Sequence, residues 1–143
     1  MIFGFAEDYA IRFLIYLGQY PDRNISCHEI SKMMAVPRDF LLKIAKILEN
    51  TGIIEIKRGK NGGYRLKKAP SQVSLLDIIE SIKGKIILHA CIEDSQICNR
   101  SNFCPVHRFW KELNETFRNS LRKKTLEEFI KKEKAIIKSL ENT

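Results

Sequence analysis

Three of the four cysteines and one of the three histidines lie between residues 91 and 107. They are Cys91, Cys98, Cys104 and His107. Thiolate and imidazole groups are ligands for zinc and for iron–sulfur clusters, because soft sulfur ligands favour these centres over hard cations. The segment also contains residues that are typical of a loop, namely Asn99, Ser101, Asn102 and Pro105. The segment 91–107 therefore predicts a loop that wraps around a metal centre.

Three interpretations of this cysteine loop remain open. A structural zinc site needs four tetrahedral ligands, and Cys91, Cys98, Cys104 and His107 would supply them. The six and five residues that separate successive cysteines are more than the usual zinc-binding spacing. An iron–sulfur cluster accepts more widely spaced ligands and one ligand other than cysteine. The third interpretation is a set of metal-free thiols that acts as a redox or disulfide switch.

The segment before residue 70 has the pattern of a winged helix-turn-helix. Apolar residues recur at helical spacing over residues 6–20, and Ser26 and Glu29 have the spacing of a capping box for a second helix over 27–34. Pro37 suits the first position of a third helix, which Gly52 ends. Its inward residues are predicted to be Phe40, Leu41, Ile44, Ile47 and Leu48. Two short strands around the glycines at 59–63 then predict a hairpin.

Basic side chains concentrate at this hairpin. The formal net charge is +8, and residues 57–68 contain six basic residues and no acidic one. In a winged helix-turn-helix the helix after the turn enters the major groove, and basic residues of the wing neutralise phosphates. The predicted DNA contacts are Arg38, Asp39 and Lys43 on the helix and Arg58, Lys60, Tyr64 and Arg65 on the wing. Cys27, alone in the second helix, is predicted to be a packing residue.

The region 71–143 is predicted to be helical around the cysteine loop. Ser74 caps a helix that stops near Gly84. After Pro105 an apolar stripe predicts a long amphipathic helix that packs against a second subunit, with an intrachain cover for the first helix as the alternative. The stripe comprises Val106, Trp110, Leu113, Phe117 and Leu121. The predicted fold is therefore mostly α: a winged helix-turn-helix region over 1–70 with a two-stranded wing, and a region over 71–143 that holds the loop 91–107 and a long C-terminal dimerisation helix.

Several classes of protein are excluded by the sequence. No apolar run approaches the roughly 20 residues of a membrane span, and the N-terminus has no basic segment ahead of an apolar one. We therefore expect a cytoplasmic protein that does not bind membranes. The sequence contains no phosphate-binding fingerprint and no pairing of a nucleophile with a base, so we do not expect an enzyme.

Four motifs together resemble a family of bacterial winged-helix regulators. They are VPRDFLLKI at 36–44, GII at 52–54, RGKNGGYRL at 58–66 and SLLDII at 74–79. The family includes the iron–sulfur cluster regulator and the nitric-oxide-sensing repressor. The resemblance covers nearly the whole chain and implies a homodimer that binds a roughly palindromic DNA operator. It also implies that Cys91, Cys98 and Cys104 of each subunit hold a cluster.

The resemblance offers two candidate positions for the fourth ligand of the cluster. His107 corresponds to the histidine ligand of a [2Fe–2S] centre, and Glu7 or Asp8 of the partner subunit corresponds to the acidic ligand found with [4Fe–4S] centres. We favour His107 and a [2Fe–2S] cluster, because His107 is close to Cys104 and needs no reach across a dimer. The expected function is a transcriptional regulator whose cluster state controls its affinity for the operator. The alternative is a constitutive DNA-binding protein with structural zinc in the same loop.

Overall fold

A computed structural model describes residues 2–143 of the chain. In this range it forms seven α-helices and one antiparallel hairpin. In chain order they are α1 (Phe5–Gln19), α2 (Cys27–Met34), α3 (Arg38–Asn50), β1 (Ile54–Lys57), β2 (Gly63–Leu66), α4 (Leu75–Lys83), α5 (Ala90–Glu93), α6 (Pro105–Arg122) and α7 (Leu126–Glu141). This order confirms the predicted mostly helical fold, with a winged helix-turn-helix and a long helix after the cysteine loop.

The helix-turn-helix consists of α2, a tight turn and α3. The Ser26 hydroxyl accepts a hydrogen bond from the Glu29 amide at 3.1 Å, which caps α2 as predicted. Ala35 then takes a left-handed conformation at φ 53°, and the Ser31 hydroxyl donates to the Val36 carbonyl at 2.6 Å. Pro37 stands just before the helix, as its N-cap, and not at its first position as predicted. The turn therefore fixes where α3 begins.

One of the predicted inward residues of α3 faces outward. Phe40 is 46% exposed, and its ring makes an edge contact with Tyr9 of α1. The buried positions of α3 are Leu41, Ile44, Ala45 and Leu48. Phe40 lies in the first turn of α3, beyond the edge of the core. It is therefore exposed, although its spacing from the other apolar residues of α3 predicted burial.

The wing is closed by a backbone contact that requires glycine. Strands β1 and β2 pair antiparallel, with Ile54 opposite Leu66. Gly63 has φ 138°, and a Cβ atom built there would lie 2.5 Å from the Ile25 carbonyl oxygen. The reason is that Ile25 pairs with Tyr64 through backbone hydrogen bonds of 2.9 and 2.8 Å. The segment before α2 thus anchors the wing to the helix-turn-helix.

One hydrophobic core contains side chains from both halves of the chain. Phe13 and Leu17 of α1 are buried beside Ile78 of α4 and Leu126 and Ile130 of α7. Helix α1 packs against α3, α4 and α7, so it lies at the centre of the fold. The winged helix-turn-helix and the helices that follow it therefore share one core.

The apolar stripe of α6 is partly buried at one end and open at the other. Phe117 and Leu121 pack against a small cluster formed by Leu76, Ile79 and Ile86. Val106 and Leu113 are 58% and 40% exposed. Burial of this open end against a second subunit stays a prediction. Within residues 2–143, no helix has both the length and the hydropathy that crossing a bilayer requires.

Candidate metal centre and nucleic-acid interface

The four predicted metal ligands line a single cavity. Its volume is about 230 Å³, and Cys91, Cys98, Cys104 and His107 all contribute to its wall. Cys91 comes from α5, Cys98 follows a single 3₁₀ turn, and Cys104 and His107 stand at the start of α6. Among residues 2–143, however, no three potential ligands are close enough together to hold a metal ion as they stand. The types of donor fit zinc or an iron–sulfur centre, since thiols and an imidazole surround one space.

Cys91 lies between two histidines. Its Sγ atom is 3.3 Å from Nδ1 of His107 and 3.2 Å from Nδ1 of His89. Cys91 is buried, whereas Cys98 is exposed and Cys104 is partly buried. His89 was not among the predicted ligands, although its position two residues before Cys91 resembles that of a ligand. Cys91 is thus the most buried of the three loop cysteines, and its sulfur contacts two imidazoles.

Cys104 has a local environment that favours its thiolate. It is the N-cap residue of α6, and the backbone N–H of His107 is the main cause of a lowered pKa for the Cys104 thiol. The backbone N–H of Val106 and the positive charge of Arg100 lower the pKa in the same direction. The N-terminus of a helix stabilises negative charge in this way. Cys104 is therefore suited to binding a cation.

The two alternative acidic ligands have different accessibility. Glu7 is buried, and its carboxylate accepts a hydrogen bond from the Gly4 amide at 2.6 Å. Asp8 pairs with Arg12 at 2.7 Å, with its side chain 52% exposed. Glu7 is thus engaged in capping its own helix, and Asp8 is the member of the pair that a second subunit could reach.

Two polar contacts attach the segment before the cysteine loop to the helical scaffold. The side chain of Asn114, buried in α6, accepts a hydrogen bond from the Leu88 amide at 2.9 Å. The Glu80 carboxylate of α4 accepts from the Ile86 amide at 3.1 Å and from Arg118 of α6 at 2.7 and 3.0 Å. Helix α4 also packs against α3. A continuous set of contacts therefore connects the cavity to α3.

We expect the Arg118→Ala substitution to reduce the free energy of unfolding by about 2 kcal/mol at pH 7, because it leaves a mostly buried carboxylate without its charged donor. The hydrogen bond from Arg118 is the main cause of a lowered pKa for Glu80 in the folded state. The stabilisation is therefore complete above the unfolded pKa, which is about 4.3, and is lost as the pH falls through the folded value. Urea unfolding of both proteins at pH 7 and at acidic pH measures this.

The matched control for this prediction is Arg122→Ala, which removes the same side chain from an exposed position of the same helix. We expect it to change the free energy of unfolding by less than about 0.5 kcal/mol. A difference between wild type and Arg118→Ala that stays constant down to pH 3, or that equals the difference for Arg122→Ala, would contradict the role given to the ion pair.

Five of the seven predicted DNA contacts are exposed and available. Arg38, Asp39 and Lys43 are exposed on α3, and Arg58 and Lys60 are exposed at the tip of the wing. Arg65 is half-buried and donates to the Pro21 carbonyl at 2.8 Å. Nε of Arg65 also lies 4.0 Å from a carboxylate oxygen of Glu55. Some of the N–H groups of Arg65 therefore already have partners within the chain.

Tyr64 requires a correction. Its side chain is only 7% exposed, and its ring makes an edge contact with Phe13 at 5.3 Å. Burial raises the pKa of its phenol, with a further contribution from the neighbouring Cys27. Tyr64 alternates inward along β2, so it is a core residue and not a DNA contact. Cys27 itself is partly buried and packs against the same core, away from the cavity, as its interpretation as a packing residue requires.

Comparisons with known proteins agree with this architecture. A family model described as Rrf2, iron-dependent transcriptional regulator, matches residues 6–132. An HTH-type transcriptional regulator of Aquifex aeolicus (strain VF5) is 31% identical over 132 residues, which are 91% of this chain and 92% of that protein.

Two solved structures have the same fold. CymR, the global cysteine regulator of B. subtilis, has a TM-score of 0.74 at 22% identity, over 90% of this chain and 95% of its own. T. potens IscR has a TM-score of 0.72 at 19% identity, over 91% and 86%. The family consists of regulators of transcription and not of enzymes, which confirms the resemblance drawn from the sequence motifs. The chain belongs to the Rrf2 family of iron-dependent transcriptional regulators.

Proposed function

We propose that this regulator binds DNA through α3 and the wing, and that an iron–sulfur cluster held by the cysteine loop controls its affinity. The observation that carries the proposal is the shared cavity: Cys91, Cys98, Cys104 and His107 line one space although up to 16 positions separate them in the chain. When bound, the cluster supplies sensitivity to iron, oxygen or nitric oxide, and the favoured form is [2Fe–2S]. The description of the family as iron-dependent supports iron over zinc.

The contacts around the cavity provide a route by which loss of a bound group would alter the position of α3. Ligand bonds to Cys91 and Cys104 fix α5 against the start of α6. Asn114 and Glu80 then hold the segment that leads into α5, and Glu80 belongs to the helix that packs on α3. Without a bound group, Cys91 and Cys104 would no longer tie α5 to the start of α6, and the restraint on α4 would change. This is a local chemical event that biases the position of the DNA-reading helix.

The regulator acts as a homodimer in this proposal. The open end of α6 presents Val106, Phe109 and Leu113, which are 58%, 54% and 40% exposed. Apolar residues on one face of a helix favour burial against another subunit. A dimer places two α3 helices at the two halves of a palindromic operator.

Constitutive DNA binding with structural zinc is the second candidate, because the same four donors suit zinc. Anaerobic purification separates the two functions. We expect a coloured protein with stoichiometric iron and acid-labile sulfide and little zinc. A colourless protein that contains one zinc ion per chain would instead support the second candidate.

The fourth ligand can be assigned by two substitutions. We expect His107→Ala to change the visible spectrum and to shorten the lifetime of the cluster, because His107 lies at the cavity beside Cys91. We expect Asp8→Asn to leave both unchanged, because Asp8 is paired with Arg12 of its own chain. Absorption and circular dichroism in the visible range measure both effects. The reverse pattern would assign the ligand to Asp8 of the partner subunit and would favour a [4Fe–4S] centre.

A further inference from the structure

His89 is held in one orientation by two separate contacts. Its imidazole stacks on Trp110, with ring centroids 5.4 Å apart and planes 11° from parallel. Its Nδ1 atom accepts a hydrogen bond from the Cys91 amide at 3.3 Å, as the N-cap of α5. A side chain that is exposed and not needed for packing usually samples several rotamers. Here the stack and the cap together direct Nδ1 to one place.

The place to which His89 is directed is the sulfur of Cys91. Nδ1 lies 3.2 Å from Sγ, within hydrogen-bonding distance for sulfur. His89 also belongs to the wall of the cavity that the three cysteines share. His107 approaches the same sulfur from α6, so two imidazole nitrogens contact Sγ of Cys91. These contacts place the His89 imidazole at the cavity and against a predicted ligand.

We propose that His89 is a positioning residue of the metal centre, which acts through a hydrogen bond from Nδ1–H to the Cys91 sulfur. The inference rests on the proposed function. A ligating thiolate accepts hydrogen bonds, and the tautomer with the proton on Nδ1 supplies one. This tautomer gives up the N-cap contact, and the ring stack on Trp110 keeps Nδ1 directed at the sulfur. Such partners orient metal ligands, and hydrogen bonds to ligating sulfurs raise the reduction potential of the centre. His89 thereby fixes the Cys91 ligand and stabilises the reduced state.

Three variants of the full chain separate the hydrogen bond from the ring stack. His89→Phe keeps an aromatic ring on Trp110 and removes the donor. His89→Asn removes the ring and keeps an amide donor close to the position of Nδ1. His28→Phe is the matched control, since His28 is exposed on α2. Each protein is reconstituted anaerobically with ferrous iron and sulfide, and its reduction potential and its rate of iron loss to a chelator are measured.

We expect His89→Phe to bind iron about 10- to 100-fold more weakly and to have a more negative potential. His89→Asn should restore most of the potential, and His28→Phe should match wild type. A wild-type potential and wild-type iron retention in His89→Phe would overturn the inference. It would also be overturned by a His89→Asn potential that is shifted as far as that of His89→Phe, because a donor restored at this position would then have no effect.

A measurement on the iron-free protein keeps the inference separate from the proposed function. The rate of alkylation of each cysteine by iodoacetamide is followed by mass spectrometry. The His89 ring contacts the Cys91 sulfur at 3.2 Å, so we expect His89→Phe to change the rate of alkylation of Cys91 several-fold and to leave that of Cys27 unchanged. If wild type binds no cluster while Cys91 shows this change, the proposed function fails and the contact stands. An unchanged Cys91 rate would overturn the contact itself.

Discussion

Alanine at any one of the three loop cysteines should abolish the visible absorption of the anaerobically purified protein. Each of Cys91, Cys98 and Cys104 lines the shared cavity. A cluster that loses one thiolate ligand has no replacement sulfur within the loop, because Cys27 packs against the core at a distance from the cavity. Absorption spectra with iron and sulfide counts for each variant measure the effect. We expect an all-or-none difference from wild type, the largest of any substitution in the chain.

Cys27→Ala is the matched control, because it removes a thiol from the same protein without touching the cavity. We expect its spectrum and its iron content to equal those of wild type. Circular dichroism of every iron-free variant should show the same helical content, so that loss of colour reports loss of ligand and not unfolding. Retention of the chromophore by Cys98→Ala together with its loss in Cys27→Ala would refute the ligand assignment.

The second large effect concerns sequence preference in DNA binding. Arg38 is exposed at the first position of α3, where a guanidinium can contact guanine through two hydrogen bonds. We expect Arg38→Ala to lose roughly 1–3 kcal/mol of discrimination, about 5- to 150-fold, between the operator and a scrambled duplex. An operator enriched from a random duplex library, and titrations of both duplexes over a salt series, provide the measurement.

Lys60 at the tip of the wing should behave differently, because a lysine that neutralises phosphate carries no sequence information. We expect Lys60→Ala to weaken binding to both duplexes alike and to lower the salt slope by about one. Lys138→Ala removes the same charge from α7 and should change neither quantity. If Arg38→Ala and Lys60→Ala both bind every duplex as wild type does, α3 and the wing do not form the DNA-reading surface.

Signals that act within a few residues made most of the fold predictable. The capping serines at 26 and 74 specify the starts of α2 and α4, and the glycines at 52 and 84 follow the ends of α3 and α4 with positive φ. These groups satisfy the backbone of a helix end wherever the helix lies in the protein. The strands of the wing are equally local, because the glycine-containing turn between them brings them together.

Features that depend on distant contacts were not predictable in the same way. Tyr64 was assigned to DNA from the basic residues around it, but its burial is decided by Phe13 and Ile25, some 40 to 50 positions away. The link from Glu80 to Arg118 likewise joins helices that are apart in sequence. The spacing of the cysteines predicts a metal centre, whereas the stack of His89 on Trp110 depends on how α5 lies against α6 and has no signal in the sequence.

The most direct test of the account compares the operator affinity of one preparation before and after its cluster is removed. Both forms are titrated anaerobically at the same ionic strength, with Cys98→Ala as a protein that has no cluster in either sample. We expect the operator affinities of cluster-bound and cluster-free wild type to differ by about 5- to 150-fold, which is the usual range of coupling between two sites. The two samples of Cys98→Ala should have identical affinities. Equal affinities of the cluster-bound and cluster-free wild type would contradict control of DNA binding by the cluster.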